Sequence, residues 1–201
     1  LGKELASSES HGTATVGSLV AVYPFIRSQK SNLSGTLTLE KKQLNDVLAT
    51  GPVDKQVQLA TFGLAGDRRD VFGGGGITLF DLSLATGSLS MDDVSLLTDK
   101  LSAQTNGSFT RLDYRLNRLQ RLSDSYSLLL ALSGQFANKN LNSSEQFFLG
   151  GAYGVRAYPQ GEAYGDEGRL VTVEMRHDFT QWLQGVMFFD AGSVIINHDP
   201  Y

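Results

Sequence analysis

Gln146–Gly168 reads QFFLGGAYGVRAYPQGEAYGDEG. It joins two runs in which apolar and polar residues alternate. Connections longer than about 12–15 residues are usually functional or disordered. A disordered linker is rich in Ser, Pro and charge. This segment instead carries Phe147, Phe148, Tyr153, Tyr158 and Tyr164, which need a surface to pack on. Its glycines (Gly150, Gly151, Gly154, Gly161, Gly165 and Gly168) allow tight bends and close backbone approach. One cation, Arg156, stands between Val155 and Ala157. Chemistry alone leaves two readings: a folded loop that delivers its arginine to a specific acceptor, or an ornate surface hairpin.

Outward from the loop, the chain reads as strands. After it, Arg169–Phe179 sets Val171, Val173 and Met175 against Thr172, Glu174, Arg176 and Asp178. Before it, Tyr126–Ala137 places Tyr126, Leu128, Leu130, Leu132 and Phe136 on one side. In Ser108–Leu119, Leu112, Tyr114 and Leu116 oppose Arg111, Asp113, Arg115 and Asn117. A period of two is what a strand requires. Further strands are predicted at Gly12–Ile26, Ser34–Leu44, Val57–Leu64 (with poor alternation), Ile77–Ala85 and Leu183–Ile196, behind a short polar lead, Leu1–His11.

In a soluble sandwich the apolar face is the core; in an outer-membrane barrel it meets lipid and the polar face lines the lumen. Alternation cannot separate the two, but the connections favour the barrel. Short links are predicted near Arg27–Leu33, Gly66–Gly76, Arg121–Ser125 and Thr180–Trp182. Long ones are predicted at Asn45–Gln56, Gly87–Gly107 and Asn138–Gly168. Strict alternation of short and long suits tight periplasmic turns at one end and surface loops at the other. Tyr23, Phe25, Phe72, Tyr126, Phe179 and Trp182 gather at the short-link end, as an interfacial aromatic belt would. The competing account of these aromatics is ordinary capping of a sandwich rim.

The 201 residues carry a formal net charge of -4 and no cysteine. So weak a charge gives no ground for a nucleic-acid partner. Without thiols there is no disulfide or thiolate metal site. No apolar run approaches the roughly 20 residues of a spanning helix, which excludes a helical membrane protein but not a barrel. The first residue is Leu, without a basic-then-apolar leader, so the chain reads as a mature form or a piece.

The run Leu149-Gly150-Gly151 through Val155-Arg156-Ala157-Tyr158 to Gly165-Asp166-Glu167-Gly168 resembles the inward-folded extracellular loop of two-partner secretion transporters, the hemolysin secretion/activation type. The wider superfamily usually has Gly where Ala157 stands. A second motif of that family, Phe-x-Asp-x-Gly, stands further on as Phe188, Asp190 and Gly192. Weaker similarity runs through Tyr23–Ser28 and Gly66–Asp70. The resemblance implies an all-β fold: an antiparallel transmembrane β-barrel in which this chain supplies about eight strands of an expected 16. By the family's count these are the sixth to the thirteenth. Residues 1–201 would then be a partial translocator domain with an inward-folded loop at 139–168, lacking the POTRA domains that carry partner recognition. The implied function is an outer-membrane pore that secretes a large exoprotein of hemolysin or adhesin type in extended form. Its partners would be that exoprotein and outer-membrane lipid. The alternatives are a barrel-assembly factor of the same superfamily and, from another class, a soluble β-sandwich binding module.

Arg156 is the leading functional residue. A guanidinium stays charged and presents five fixed donors, so a loop that carries it into a lumen must find it an acceptor. Phe188, Asp190 and Gly192 share one strand face, while Met187, Phe189, Ala191 and Ile195 on the other suit lipid. Asp190 therefore faces the lumen near Glu174 and Arg176. The resemblance implies an Arg156–Asp190 pair; the plainer alternatives are that Asp190 caps a turn or pairs with Arg176. Gly185 and Gly192 read either as marks of close loop approach or as plain strand glycines. Arg111, Asp113 and Arg115 form a charge ladder, lumenal in a barrel and merely solvated in a sandwich. No enzyme is expected. His11, His177 and His198 are scattered, no nucleophile elbow occurs, and Gly73–Gly76 lacks the lysine and helix of a P-loop, so no cofactor, metal or nucleotide is implied.

Overall fold

The computed structural model describes residues 11–48, 51–151, 154–159 and 161–201. Residues 1–10 of the polar lead, and Tyr153 of the loop, lie outside them. In chain order the elements are β1 (His11–Arg27), β2 (Ser31–Leu48), β3 (Gly51–Asp70), β4 (Gly76–Met91), α1 (Asp93–Lys100), β5 (Gly107–Arg121), β6 (Tyr126–Ala137), β7 (Phe147–Phe148), β8 (Tyr164–Gly165), β9 (Glu167–Thr180) and β10 (Leu183–Ile195). One eight-stranded sheet runs β1-β2-β3-β4-β5-β6-β9-β10, and β7 pairs with β8 inside the long loop. Every pairing in the large sheet is antiparallel between chain neighbours, with the loop inserted between β6 and β9.

Most strands outrun their sequence-predicted ends; Tyr126–Ala137 keeps its predicted bounds and the last strand stops at Ile195. β3 is 20 residues long, about twice what a barrel strand needs to cross a bilayer. This corrects the expectation of a long link at Asn45–Gln56. The ladder continues from Asn45 opposite Asp54 to Leu48 opposite Gly51. Asn45 Nδ2 donates to Asp54 Oδ1 at 2.7 Å, and Lys55 Nζ lies 3.7 Å from Asp46. Beyond the apolar band a strand can be polar on both faces, so its composition imitates a loop. Long and short links therefore do not strictly alternate. The other two long links stand: residues 92–106, which hold α1, and residues 138–166. α1 begins at Asp92, whose carboxylate accepts from Val94 N at 3.1 Å and Ser95 N at 2.9 Å, as an N-cap residue does.

The two sheet faces differ as the period of two predicts. One carries exposed apolar residues across neighbouring strands: Leu39, Phe62, Leu84, Leu116, Leu132 and Met187 among them. An apolar surface this continuous calls for a non-aqueous neighbour. Long link 138–166 covers the other face. That face is not purely polar, contrary to expectation. Val57, Leu59, Ala85, Leu89 and Phe109 form a buried cluster under Leu141 of the loop. Leu149 and Val155 of the loop bury against Leu170. The loop has apolar residues of its own, and they need apolar ground to sit on. This requirement accounts for the poor alternation of β3.

The six aromatics at the short-link end are all exposed. Tyr23 and Phe25 meet edge to face at 5.3 Å. His177 stacks on Tyr126 at 4.2 Å and meets Phe179 at 4.4 Å. This histidine is therefore part of the aromatic belt.

Candidate functional site

The loop tip is built by its own backbone. Val155 N donates to Leu149 O at 2.7 Å, Gly154 N to Gly151 O at 3.0 Å, and Tyr158 N to Val155 O at 3.0 Å. A side chain at Gly154 would collide with the Leu149 carbonyl, so only glycine closes this bend. The bend buries Val155 and turns Arg156 onto β9 and β10. Ala157 and Tyr158 stay exposed, so within this four-residue motif the first residue anchors and the second binds.

Arg156 meets two carboxylates and a ring. Its Nε and Nη2 donate to the two oxygens of Asp190, at 2.7 and 2.8 Å. Its backbone N–H reaches the same carboxylate at 3.3 Å. Nη1 donates to Glu174 Oε1 at 2.7 Å. The Phe188 ring underlies the guanidinium, 3.6 Å from Cζ to centroid. Forked pairing of this kind fixes direction as well as distance, which an ammonium cannot do. The acceptors are pre-set: Asp190 stands opposite Thr172 in the ladder and Phe188 opposite Glu174. Thr172 Oγ1 donates to Asp190 at 2.9 Å, and Arg176 Nη2 to Glu174 Oε2 at 2.7 Å. Arg176 thus takes Glu174 and leaves Asp190 to Arg156, against the alternative pairing with Asp190. The Asp190 side chain is 4% exposed and that of Arg156 30%, so the pair is shielded from most of the screening that weakens surface ion pairs.

The two glycines weighed above have different roles. A Cβ on Gly192 would strike Leu149 Cδ1 and lie 2.8 Å from Arg169 O. Gly192 thus leaves room for the loop. Gly185 lies under the Phe179 ring, 2.8 Å from where its Cβ would stand, and serves the aromatic belt instead.

The ladder on β5 divides. Arg111 and Asp113 pair at 3.6 Å. Arg115 stands exposed opposite Asp81, away from the loop. Arg111 also belongs to a second centre that sequence reasoning missed. Glu145 ends the turn Ser143–Glu145, and its side chain is 1% exposed between Lys42 Nζ, at 2.7 Å, and Arg111 Nη2, at 3.5 Å. Asp166, fully buried, accepts from Leu141 N at 3.0 Å, Gln146 Nε2 at 2.9 Å and His198 N at 2.9 Å. Gln135 on β6 donates to the carbonyls of both Glu145 and Asp166, at 3.0 and 2.9 Å, and so ties the two limbs of the loop together. In sequence, Asn142-Ser-Ser-Glu145 resembles a capping pattern, which conceals the acid's longer reach.

Comparison with known proteins bears on the family and the fold. Residues 3–200 match the profile of the family described as Haemolysin secretion/activation protein ShlB/FhaC/HecB. The chain belongs to this family. Heme/hemopexin transporter protein HuxB, from two strains of Haemophilus influenzae, is 30% identical to this family member over 199 residues, covering 96% of the chain. The chain spans about a third of the length of these curated relatives, 35%. Among solved structures, CdiB from Escherichia coli matches with a TM-score of 0.77 at 18% identity, covering 96% of this chain and 37% of that one. CdiB from Acinetobacter baumannii matches at 0.66 and 21%, covering 92% and 33%. The fold is thus a portion of an outer-membrane β-barrel of the haemolysin secretion/activation family. In a barrel of this kind an exposed apolar face is the one suited to lipid, and the loop-covered face is the one that lines the lumen. A single sheet with an apolar outer face displaces the sandwich reading.

Proposed function

We propose that this protein supplies the loop-bearing part of an outer-membrane pore that passes one large exoprotein, of hemolysin or adhesin type, from periplasm to cell surface in extended form. Substrate passage would be a conformational process without covalent chemistry. The observation that carries the proposal is the Arg156 clamp. It is a charge-assisted, forked contact between a loop tip and the lumen wall, on a segment long enough to fill or vacate the lumen. A purely structural tie would be served as well by an apolar contact, at no desolvation cost. A polar clamp can be released when water and a passing chain compete for its partners. The exposed Arg115 and Asp81 in the unoccupied part of the lumen offer an extended polypeptide weak, hydrated contacts. The alternative of barrel assembly has less support: Ala157 stands where the wider superfamily usually has Gly, and the matched profile is that of the secretion branch.

The test uses the full-length protein and its exoprotein in a Gram-negative host. Arg156→Ala is expected to abolish secretion while the barrel still reaches the outer membrane. Secretion at the parental level would overturn the proposal.

A further inference from the structure

Glu145 lies in the entry limb of the loop, ahead of the Arg156 clamp, and contacts other strands. Its carboxylate links Lys42 on β2 to Arg111 on β5. In the sheet order β3 and β4 stand between those strands, so the three groups bridge three inter-strand spacings, roughly 14 Å. The contact with Lys42 joins residues 103 apart in the chain. Lys42 and Arg111 converge over the Val57, Ala85 and Leu89 cluster, which Leu141 of the loop covers. Ser144 Oγ also donates to Oε1, at 3.2 Å, and Lys42 makes a further ion pair with Glu40 at 3.1 Å. Arg111 Nη1 grips the Glu145 carbonyl at 3.2 Å. Glu145 Oε2 and Arg111 Nε are buried without hydrogen bonds, so this side of the contact rests on charge rather than on directed bonds. A carboxylate buried this deeply is stable only while its cations remain in place.

We infer that Glu145 is a second latch on the loop. It is a positioning residue that straps the entry limb across the lumen independently of the Arg156 clamp, so full opening requires the release of both. The inference rests on the pore reading above. The two latches engage different strands, β9 and β10 at the tip and β2 and β5 at the entrance. They share no residue. Freeing the tip alone leaves the entrance of the loop tied across the sheet, and freeing the entrance alone leaves the tip clamped.

The test is single-channel recording of the full-length protein in planar bilayers, with wild type, Glu145→Gln, Lys42→Gln, Arg156→Ala and the Glu145→Gln/Arg156→Ala double variant. Folding is monitored separately by heat-modifiable mobility. Glu145→Gln is expected to raise the open fraction at least ~tenfold without altering that mobility. Glu145→Asp is expected to restore closure in part. The double variant is expected to exceed either single one. Lys42→Gln leaves the loop sequence intact and is expected to reproduce the Glu145→Gln phenotype, which covers a folding failure of the first variant. If Arg156→Ala opens the channel while Glu145→Gln and Lys42→Gln behave as wild type, the second latch is overturned and the pore reading stands. If neither wild type nor Arg156→Ala conducts, the pore reading falls and takes this inference with it.

Discussion

Gly192 on β10 lies directly against Leu149 of the long loop, with no room between them for a methyl group. Asp190, two residues earlier on the same face, holds Arg156. The Phe-x-Asp-x-Gly motif is therefore one docking surface: a ring under the guanidinium, a carboxylate for its fork, and a gap for the leucine beside it. Its period of two puts all three on one face of a strand.

Gly192→Val is expected to push the loop off the wall by displacing Leu149, which is 8% exposed and packs with Val155 and Leu170. Overpacking costs about 1–3 kcal/mol. Limited proteolysis of the folded barrel checks this, through faster cleavage within residues 146–165. Gly192→Ala is expected to show a smaller effect of the same sign.

The Arg156 contact depends on the guanidinium's shape as well as its charge. Arg156→Lys retains the charge but loses the fork to Asp190 and the flat stacking on Phe188. It is expected to recover less than half of what Arg156→Ala loses, namely about 3–5 kcal/mol of loop docking. A cycle of Arg156→Ala and Asp190→Ala is expected to give a coupling energy of about 2–3 kcal/mol, read by hydrogen exchange of the loop amides. A coupling near zero would show that the two residues act separately.

Asp166→Ala leaves three donors without their acceptor, on Leu141, Gln146 and His198. The Leu141 amide is buried, and an unsatisfied buried amide costs about 1–3 kcal/mol. The expected outcome is a barrel that retains its strands by circular dichroism but loses amide protection at the base of the loop. It is also expected to lose order in the segment after β10, because His198 is held there.

Acid is expected to loosen the surface link that carries α1. The Ser95 hydroxyl and amide, with the amides of Asp54 and Val94, hold the Asp92 carboxyl down at about 2. A carboxyl depressed in the folded state adds stability that is fully present above its unfolded value, about 3.9. That stability fades as pH falls from there through about 2. Helix α1 should therefore fray across that window, and Asp92→Ala should remove the pH dependence. Amide exchange of Val94 and Ser95 between pH 5 and about 2 reports it.

Much of this was legible in the residues. All eight strands of the large sheet were readable, and so were the two faces of those that alternate clearly, such as Ser108–Leu119 and Arg169–Phe179. Side-chain direction in a strand is a local property, decided by the next residue along. The Arg156–Asp190 pair was legible only through the family resemblance, because Arg176 beside Asp190 on the lumenal face offered the acid a nearer partner. The Asn45–Gln56 hairpin was not, since polarity outside the lipid band says nothing about pairing. Glu145, Asp166 and Gln135 were not either, since each resembles an ordinary turn or strand residue by its neighbours.

The sequence by itself determined the strands of the sheet, connections that favour a barrel, and the two motifs whose resemblance implied an Arg156–Asp190 pair. Only the tertiary structure decided the path of the long loop. The path brings Arg156 to Glu174, sets Leu149 on Gly192 and carries Glu145 across to Lys42. These contacts span 18 to 103 residues of chain. Alternation carries no information at such range, where the route of the intervening backbone sets which charges meet.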